Sequence, residues 1–138
     1  MDWLKNYHED HEAVLLLLAK LEGNMLYFKT GMETPHTFME FKEFADVIKN
    51  VIIPHFKSEE SGVYKDVGDY DQKGRQFADL MIQEHEALYP LFESYMEAVE
   101  AKDKEKLLDI GGKMEAVLRH HILKEEREMP RLYRLKLK

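Results

Sequence analysis

The sequence contains no cysteine. Disulfides, thiolate zinc sites and thiolate-ligated iron–sulfur clusters are thereby excluded together. Only 4 prolines and 7 glycines punctuate 138 residues, so long elements are expected. The longest apolar run, Ala13 to Ala19, falls well short of the roughly 20 residues that span a bilayer. Met1-Asp2-Trp3-Leu4-Lys5 has neither the basic start nor the apolar stretch of a signal peptide. No membrane partner is expected, and a soluble cytoplasmic protein is. Excess positive charge is missing too. The formal net charge of −7 opposes nucleic acid as a partner, because phosphate binding requires a basic surface. The locally basic tail (Arg127, Arg131, Arg134, Lys136, Lys138) reads as cations placed at and beyond a helix C-terminus.

What is present is helical periodicity. Hydrophobic residues make up 44% of the chain, enough for one core in a single domain over residues 1–138. Leu4, Tyr7, His11, Val14, Leu18, Leu21, Met25 and Phe28 recur at spacings of three and four, the seam of a packed helix. Thr30-Gly31 ends it, and Thr34-Pro35 opens the next helix. The second seam is Phe41, Phe44, Ile48, Val51, His55 and Glu59, with Pro54 bending the helix just before His55. Gly68-Asp69-Tyr70-Asp71 is the clearest break. A third seam reads Phe77, Met81, His85, Leu88, Phe92, Tyr95 and Val99. With Asp103 as N-cap, the fourth reads Leu107, Ile110, Met114, Val117, His121 and Glu125, weakened at Gly111-Gly112 and ended by Pro130. Four long helices with short connections predict an all-α, up-down-up-down four-helix bundle.

Each seam carries one histidine: His11, His55, His85 and His121. A single histidine on an apolar face is usually a satisfied core residue, but one per helix is a pattern. His55 and His121 are each followed four residues later by a glutamate, Glu59 and Glu125, on the same helix face. Burying two carboxylates costs several kcal/mol each unless they are paired or bind cations. A pair of divalent cations offsets that cost directly, and buried His–Glu hydrogen bonds without metal are the alternative.

The order repeats. His55-Phe56-Lys57-Ser58-Glu59-Glu60 parallels His121-Ile122-Leu123-Lys124-Glu125-Glu126, and Asp10-His11-Glu12-Ala13 parallels Glu84-His85-Glu86-Ala87. Two such hairpins about an approximate two-fold axis would converge four imidazoles and two carboxylates on one point. The remaining histidines have blander readings: His8 at the surface or behind the site, His120 toward solvent, His36 at a helix start. Glu60, Glu84, Glu86 and Glu126 read as solvated, though any could orient a histidine through its outer ring nitrogen. Tyr64, Tyr95 and Trp3 read as core or rim aromatics, and the eight methionines as gap-fillers.

This succession of His, His-x-x-x-Glu, His, His-x-x-x-Glu resembles the hemerythrin-like cation-binding domains over residues 2–133. The resemblance implies two iron ions with an oxo or hydroxo bridge, bridged by Glu59 and Glu125 and held by His11, His55, His85 and His121. Manganese or zinc suits the same donors. The oxygen carriers of this family have a fifth histidine one turn after the first on the third helix, where this chain has Tyr89. They also commonly set the last carboxylate five residues after its histidine, which would be Glu126. Four residues turn a helix by about 400° and five by about 500°, which with the repeat favours Glu125. Without the fifth histidine an open position is expected on each metal unless Tyr89 fills one as a phenolate. The implied function is binding or reducing a small ligand (oxygen, nitric oxide or peroxide) in sensing or detoxification. The alternative is iron storage, donation or iron-centre repair. The repair proteins similar in ligand pattern usually carry a Cys-containing segment that this sequence does not include. A sensor built this way would signal through a separate redox or signalling partner.

Overall fold

The computed structural model describes the backbone of residues 3–137 and the side chains of residues 7–132. Trp3, Leu4, Arg134, Lys136 and Lys138 therefore have side chains outside the described residues. The first arm of the bundle is α1 (Trp3–Thr30). Its seam from Tyr7 to Phe28 is buried as the periodicity predicts. It ends at Gly31, whose φ of 72° allows the amide of Met32 to reach back 2.9 Å to the carbonyl of Tyr27.

The second arm is broken into pieces: α2 (Pro35–Val47), a π-helical turn (Ile48–Ile52), α3 (Ile53–Ser61) and α4 (Val63–Tyr70). Thr34 and Thr37 start α2 with reciprocal side-chain-to-amide hydrogen bonds. The π turn adds a residue to the helix immediately before Pro54, which has no N–H to give the ladder. That extra residue moves the seam. Val51, expected inside, is 49% exposed, and Ile52 takes its place at 2%. The chain breaks again at Gly62, so the expected continuous helix up to Gly68 is instead α3 followed by α4.

Asp71 caps the third arm, α5 (Gln72–Ala101), accepting from the amide of Gly74 at 2.7 Å. A Cβ at Gly74 would sit 1.8 Å from the carbonyl oxygen of Val67, so α4 can fold back onto α5 only because position 74 is glycine. The fourth arm, α6 (Lys104–Leu137), is capped by Asp103 and runs through Pro130, which does not end it as expected. Met129 and Leu132 are buried against α4 and α5 there, and this burial offsets the ~3 kcal/mol cost of an interior proline. The seam of α6 passes through Gly111 and Leu118 rather than through Ile110 and Val117. Gly111 is a packing position, since an added Cβ would lie 3.1 Å from the sulfur of Met25.

Together these arms form an all-α, up-down-up-down bundle, and no strand occurs among the described residues. The core falls into two apolar clusters. The larger runs from Val14 and Ile122 toward Phe28 and Leu107. The smaller contains Tyr7, Tyr64, Val67, Ala78, Met81, Met129 and Leu132. Between them lies one polar layer. No helix is long and apolar enough to cross a membrane, among the described residues.

Candidate metal centre

The polar layer is made by one position each from α1 and α5 and two each from α3 and α6. His11, His85, His121, Glu59 and Glu125 are all 3% exposed or less, and the His55 side chain is 19% exposed. Two groups have donor atoms close enough together to hold a metal ion: Glu59, His85, His121 and Glu125; and His11, His55 and Glu59. Glu59 belongs to both. Its Oε2 faces His11 Nε2 at 3.7 Å and His55 Nε2 at 3.4 Å, while its Oε1 faces His85 Nε2 at 3.3 Å. Oε1 of Glu125 lies 2.6 Å from His121 Nε2 and 3.9 Å from His11 Nε2. Glu125 therefore points inward, whereas Glu126 lies outside the layer.

The outer nitrogens of the imidazoles form a ring of their own. Asp10 on α1 faces His55 Nδ1 on α3 at 3.7 Å. Glu60 on α3 faces His85 Nδ1 on α5 at 3.0 Å. Glu84 on α5 faces His121 Nδ1 on α6 at 2.7 Å. Glu126 on α6 faces His11 Nδ1 on α1 at 3.2 Å. Each arm thus presents a carboxylate to the next arm's histidine, and the ring closes. Burial works against the charge on Glu84, but His121 and Lys124 hold it below its ordinary range; His11 and His8 do the same for Glu126. Ionised, Glu84 and Glu126 only accept, so Nδ1 of His121 and of His11 donates and the Nε2 lone pairs of these two point inward.

Those lone pairs meet with nothing to share. His85 and His121 approach Nε2 to Nε2 at 3.0 Å, and His55 and His11 at 3.3 Å. Neither oxygen of Glu59 has a hydrogen-bond partner among the described residues. A buried acceptor without a donor costs about 1–3 kcal/mol, and more when charged. Such a set of acceptors is matched by cations, whether metal ions or protons. Without metal the layer takes up protons. Burial opposes charge on His11, but Glu126, Glu59 and Glu125 outweigh it and hold the imidazole up at about 10. For His121 burial is likewise overcome, by Glu125 and Glu84, to about 9. Burial alone would raise Glu59, yet Glu125 and the imidazoles of His11, His55 and His85 keep it well below the ordinary carboxylate range. Burial and the Glu59 charge push Glu125 up. The donor set of imidazole nitrogens and carboxylate oxygens suits iron, manganese or zinc.

Two phenols complete the layer, and the seam pattern gave them no role. Tyr7 and Tyr64 both donate to Oε2 of Glu125, Tyr64 at 2.7 Å. Its hydroxyl is also 3.3 Å from His85 Nε2. Burial first, and the Glu125 charge second, push both phenols far up, so they stay protonated. Tyr7 stands one turn before His11, a spacing that could have suggested it. Tyr64 lies beyond the break at Gly62, where periodicity no longer carries direction. Tyr89 packs edge-on against Phe56 and Phe92. Phe56 in turn stacks on His85 at 3.7 Å with 4° between the planes. Tyr95 donates to the carbonyl of Phe41, deep in the larger cluster. His8 bridges Glu126 and Glu12 at the surface, and His36 pairs with Glu40, both exposed.

A cleft of about 380 Å³ reaches the layer from one side. It opens where α1, packed closely on α2 and α6, hardly touches the π turn or α3. Val14, Leu17, Val51, Ile52, Leu118 and Ile122 line its walls, and His11, His55 and Glu125 lie at its inner end.

No curated protein and no solved structure matches the chain. The family model of the hemerythrin HHE cation-binding domain matches residues 2–133, nearly the whole sequence. A cation-binding family and a buried cluster of histidines and glutamates able to hold metal agree, and the chain belongs to the hemerythrin HHE cation-binding domain family.

Proposed function

We propose that the polar layer holds two iron ions joined by an oxo or hydroxo bridge, and that the protein binds or reduces oxygen, nitric oxide or peroxide there, in sensing or detoxification in the cytoplasm. His11 and His55 would hold one ion and His85 and His121 the other, with Glu59 and Glu125 between them. The observation that carries this reading is the inward convergence of four Nε2 atoms on a Glu59 carboxylate that lacks a hydrogen-bond partner among the described residues.

When bound, the metal pair would supply Lewis acidity and one-electron redox capacity to the ligand. The chain's own residues do the rest. Glu60, Glu84 and Glu126 orient the imidazoles of His85, His121 and His11 through Nδ1. The two apolar clusters keep bulk water from the layer above and below. Tyr7 and Tyr64 hold protons on the Glu125 oxygen that faces away from His121. The cleft between α1 and α3 admits a small ligand to the His11–His55 side. With six protein donors in the set among the described residues, positions remain for an outside ligand. That favours chemistry or metal exchange over oxygen carriage.

Elemental analysis of anaerobically purified protein, read beside its visible spectrum, tests this. Two irons per chain, with a near-ultraviolet charge-transfer band developing in air, is the expected result. No metal, or one tightly held zinc, would sink the diiron reading. A second reading, iron storage or donation, draws on the partial exposure of His55 at the cleft.

A further inference from the structure

The two donor groups that share Glu59 are held with unequal firmness. On the α5–α6 side, His85 and His121 are fully buried and their Nδ1 atoms are bonded at 3.0 and 2.7 Å. Lys124 steadies Glu84 from 3.3 Å. Phe56 covers one face of His85, and Tyr64 stands beside its Nε2. Four donors converge there. On the α1–α3 side only three converge. His55 is 19% exposed, and its outer nitrogen is 3.7 Å from an Asp10 that is itself 64% exposed, beyond hydrogen-bonding distance. The cleft reaches both histidines of this half, bordered by Asp10, Asn50 and Ser58, and of the other half it touches Glu125 but neither histidine.

We propose that the centre has one resident and one exchangeable metal position: an ion on His85, His121, Glu59 and Glu125 is retained, and an ion on His11, His55 and Glu59 enters and leaves through the cleft between α1 and α3. This rests on the dinuclear reading above and adds a direction to it. A ligand histidine holds metal well when its other nitrogen is fixed, and loss of that outer partner typically weakens binding about 10–100-fold. Metal leaves by exchanging protein ligands for water one at a time, which needs room beside a ligand that can swing away. His55 has both the room and the freedom. His85 and His121 have neither.

The full chain is loaded anaerobically with ferrous ion alone, cleared of excess metal, and mixed with a coloured ferrous chelator. Release in two phases of equal amplitude is expected, the faster at least about tenfold quicker than the slower. Glu84→Gln should accelerate the slow phase about 10–100-fold. Asp10→Asn should leave both rates within about twofold, because no hydrogen bond is lost. His55→Gln should remove the fast phase and leave one slowly released iron. Circular dichroism of each variant checks that the bundle is intact, and Glu84→Gln and Asp10→Asn are isosteric changes at partly exposed or exposed positions. Release of both irons in a single phase, or a Glu84→Gln effect confined to the fast phase, would overturn the inequality while leaving the dinuclear centre standing. Uptake of fewer than two irons by the unaltered chain would instead overturn the dinuclear reading itself.

Discussion

The two halves of the repeat carry the same residues and fold differently. Glu84-His85 and His121-x-x-x-Glu125 lie on α5 and α6, helices of 30 and 34 residues with no break between cap and end. Asp10-His11 lies on an equally regular α1, but its partner His55-x-x-x-Glu59 sits on a nine-residue helix between a π turn and the break at Gly62. The regular half buries both of its histidines at 0% exposure. The irregular half has the cleft. Ligand identity is therefore set by the motif, and access by the interruptions around it.

Removing what the halves share should have the largest effect. Glu59→Ala takes one oxygen from each group at once, and iron content by elemental analysis should fall from two per chain to below one. A variant with undiminished iron would mean that the carboxylate does not bridge.

A pH series comes next. Each half contains one imidazole held above its unfolded value of 6.5, His11 at about 10 and His121 at about 9. A folded pKa above the unfolded one stabilises fully below the unfolded value and is lost as pH rises through the folded value. The metal-free chain should therefore lose stability between about pH 6.5 and pH 10, by an amount of the order of a few kcal/mol. The metal-loaded chain should be flat over that window. Urea midpoints at several pH values, with and without metal, check both.

Deleting Val51 should make the irregular half resemble the regular one. The π turn absorbs one residue while its flanks keep their faces, so removal restores α-helical register without turning Ile48 or His55 away. The folded chain should persist, and azide should bind to the oxidised centre about tenfold more slowly in stopped-flow absorbance, as the cleft narrows. An unchanged rate would place ligand entry elsewhere.

The smallest effects should come from two exposed histidines away from the layer, His36 and His120. His36→Ala and His120→Ala should each leave iron content unchanged and shift stability by less than about 0.5 kcal/mol.

How far the sequence can be read follows the same division. Along α1 and α5, strict spacing places the buried seams from Tyr7 to Phe28 and from Met81 to Val99, missing only Asn24 and Ala98 among the buried residues of those spans. It also brings His11, His55, His85, His121, Glu59 and Glu125 into one layer, as the repeat implies. The misplacements have separate physical causes. Val51 was displaced by a π turn, which adds a residue that a 3.6-residue count cannot anticipate. Ile110 and Val117 were favoured over Gly111 and Leu118 because hydrophobicity does not register a glycine chosen for close approach to Met25. Pro130 did not stop α6 because burial of Met129 and Leu132 beyond it outweighs the lost hydrogen bond. Tyr64 was out of reach because Gly62 severs its helix from the one that sets direction. Glu126 was legible only as an alternative, since its contact with His11 joins residues 115 positions apart.

The closed ring of carboxylate–histidine contacts has a consequence for how the chain chooses its shape. Four helices in fixed sequence can be arranged around a common axis in either turning sense, with the same neighbours and nearly the same apolar burial. Hydrophobic seams do not distinguish the two. A ring in which α1 reaches to α3, α3 to α5, α5 to α6 and α6 back to α1 has a direction of circulation. In the opposite bundle each acid would face away from the histidine it meets here, and the hydrogen bonds of Glu60, Glu84 and Glu126 to His85, His121 and His11 would be lost. The acids that face the layer's histidines thereby favour one handedness of the bundle, and turning α5 or α6 would break two of these hydrogen bonds together.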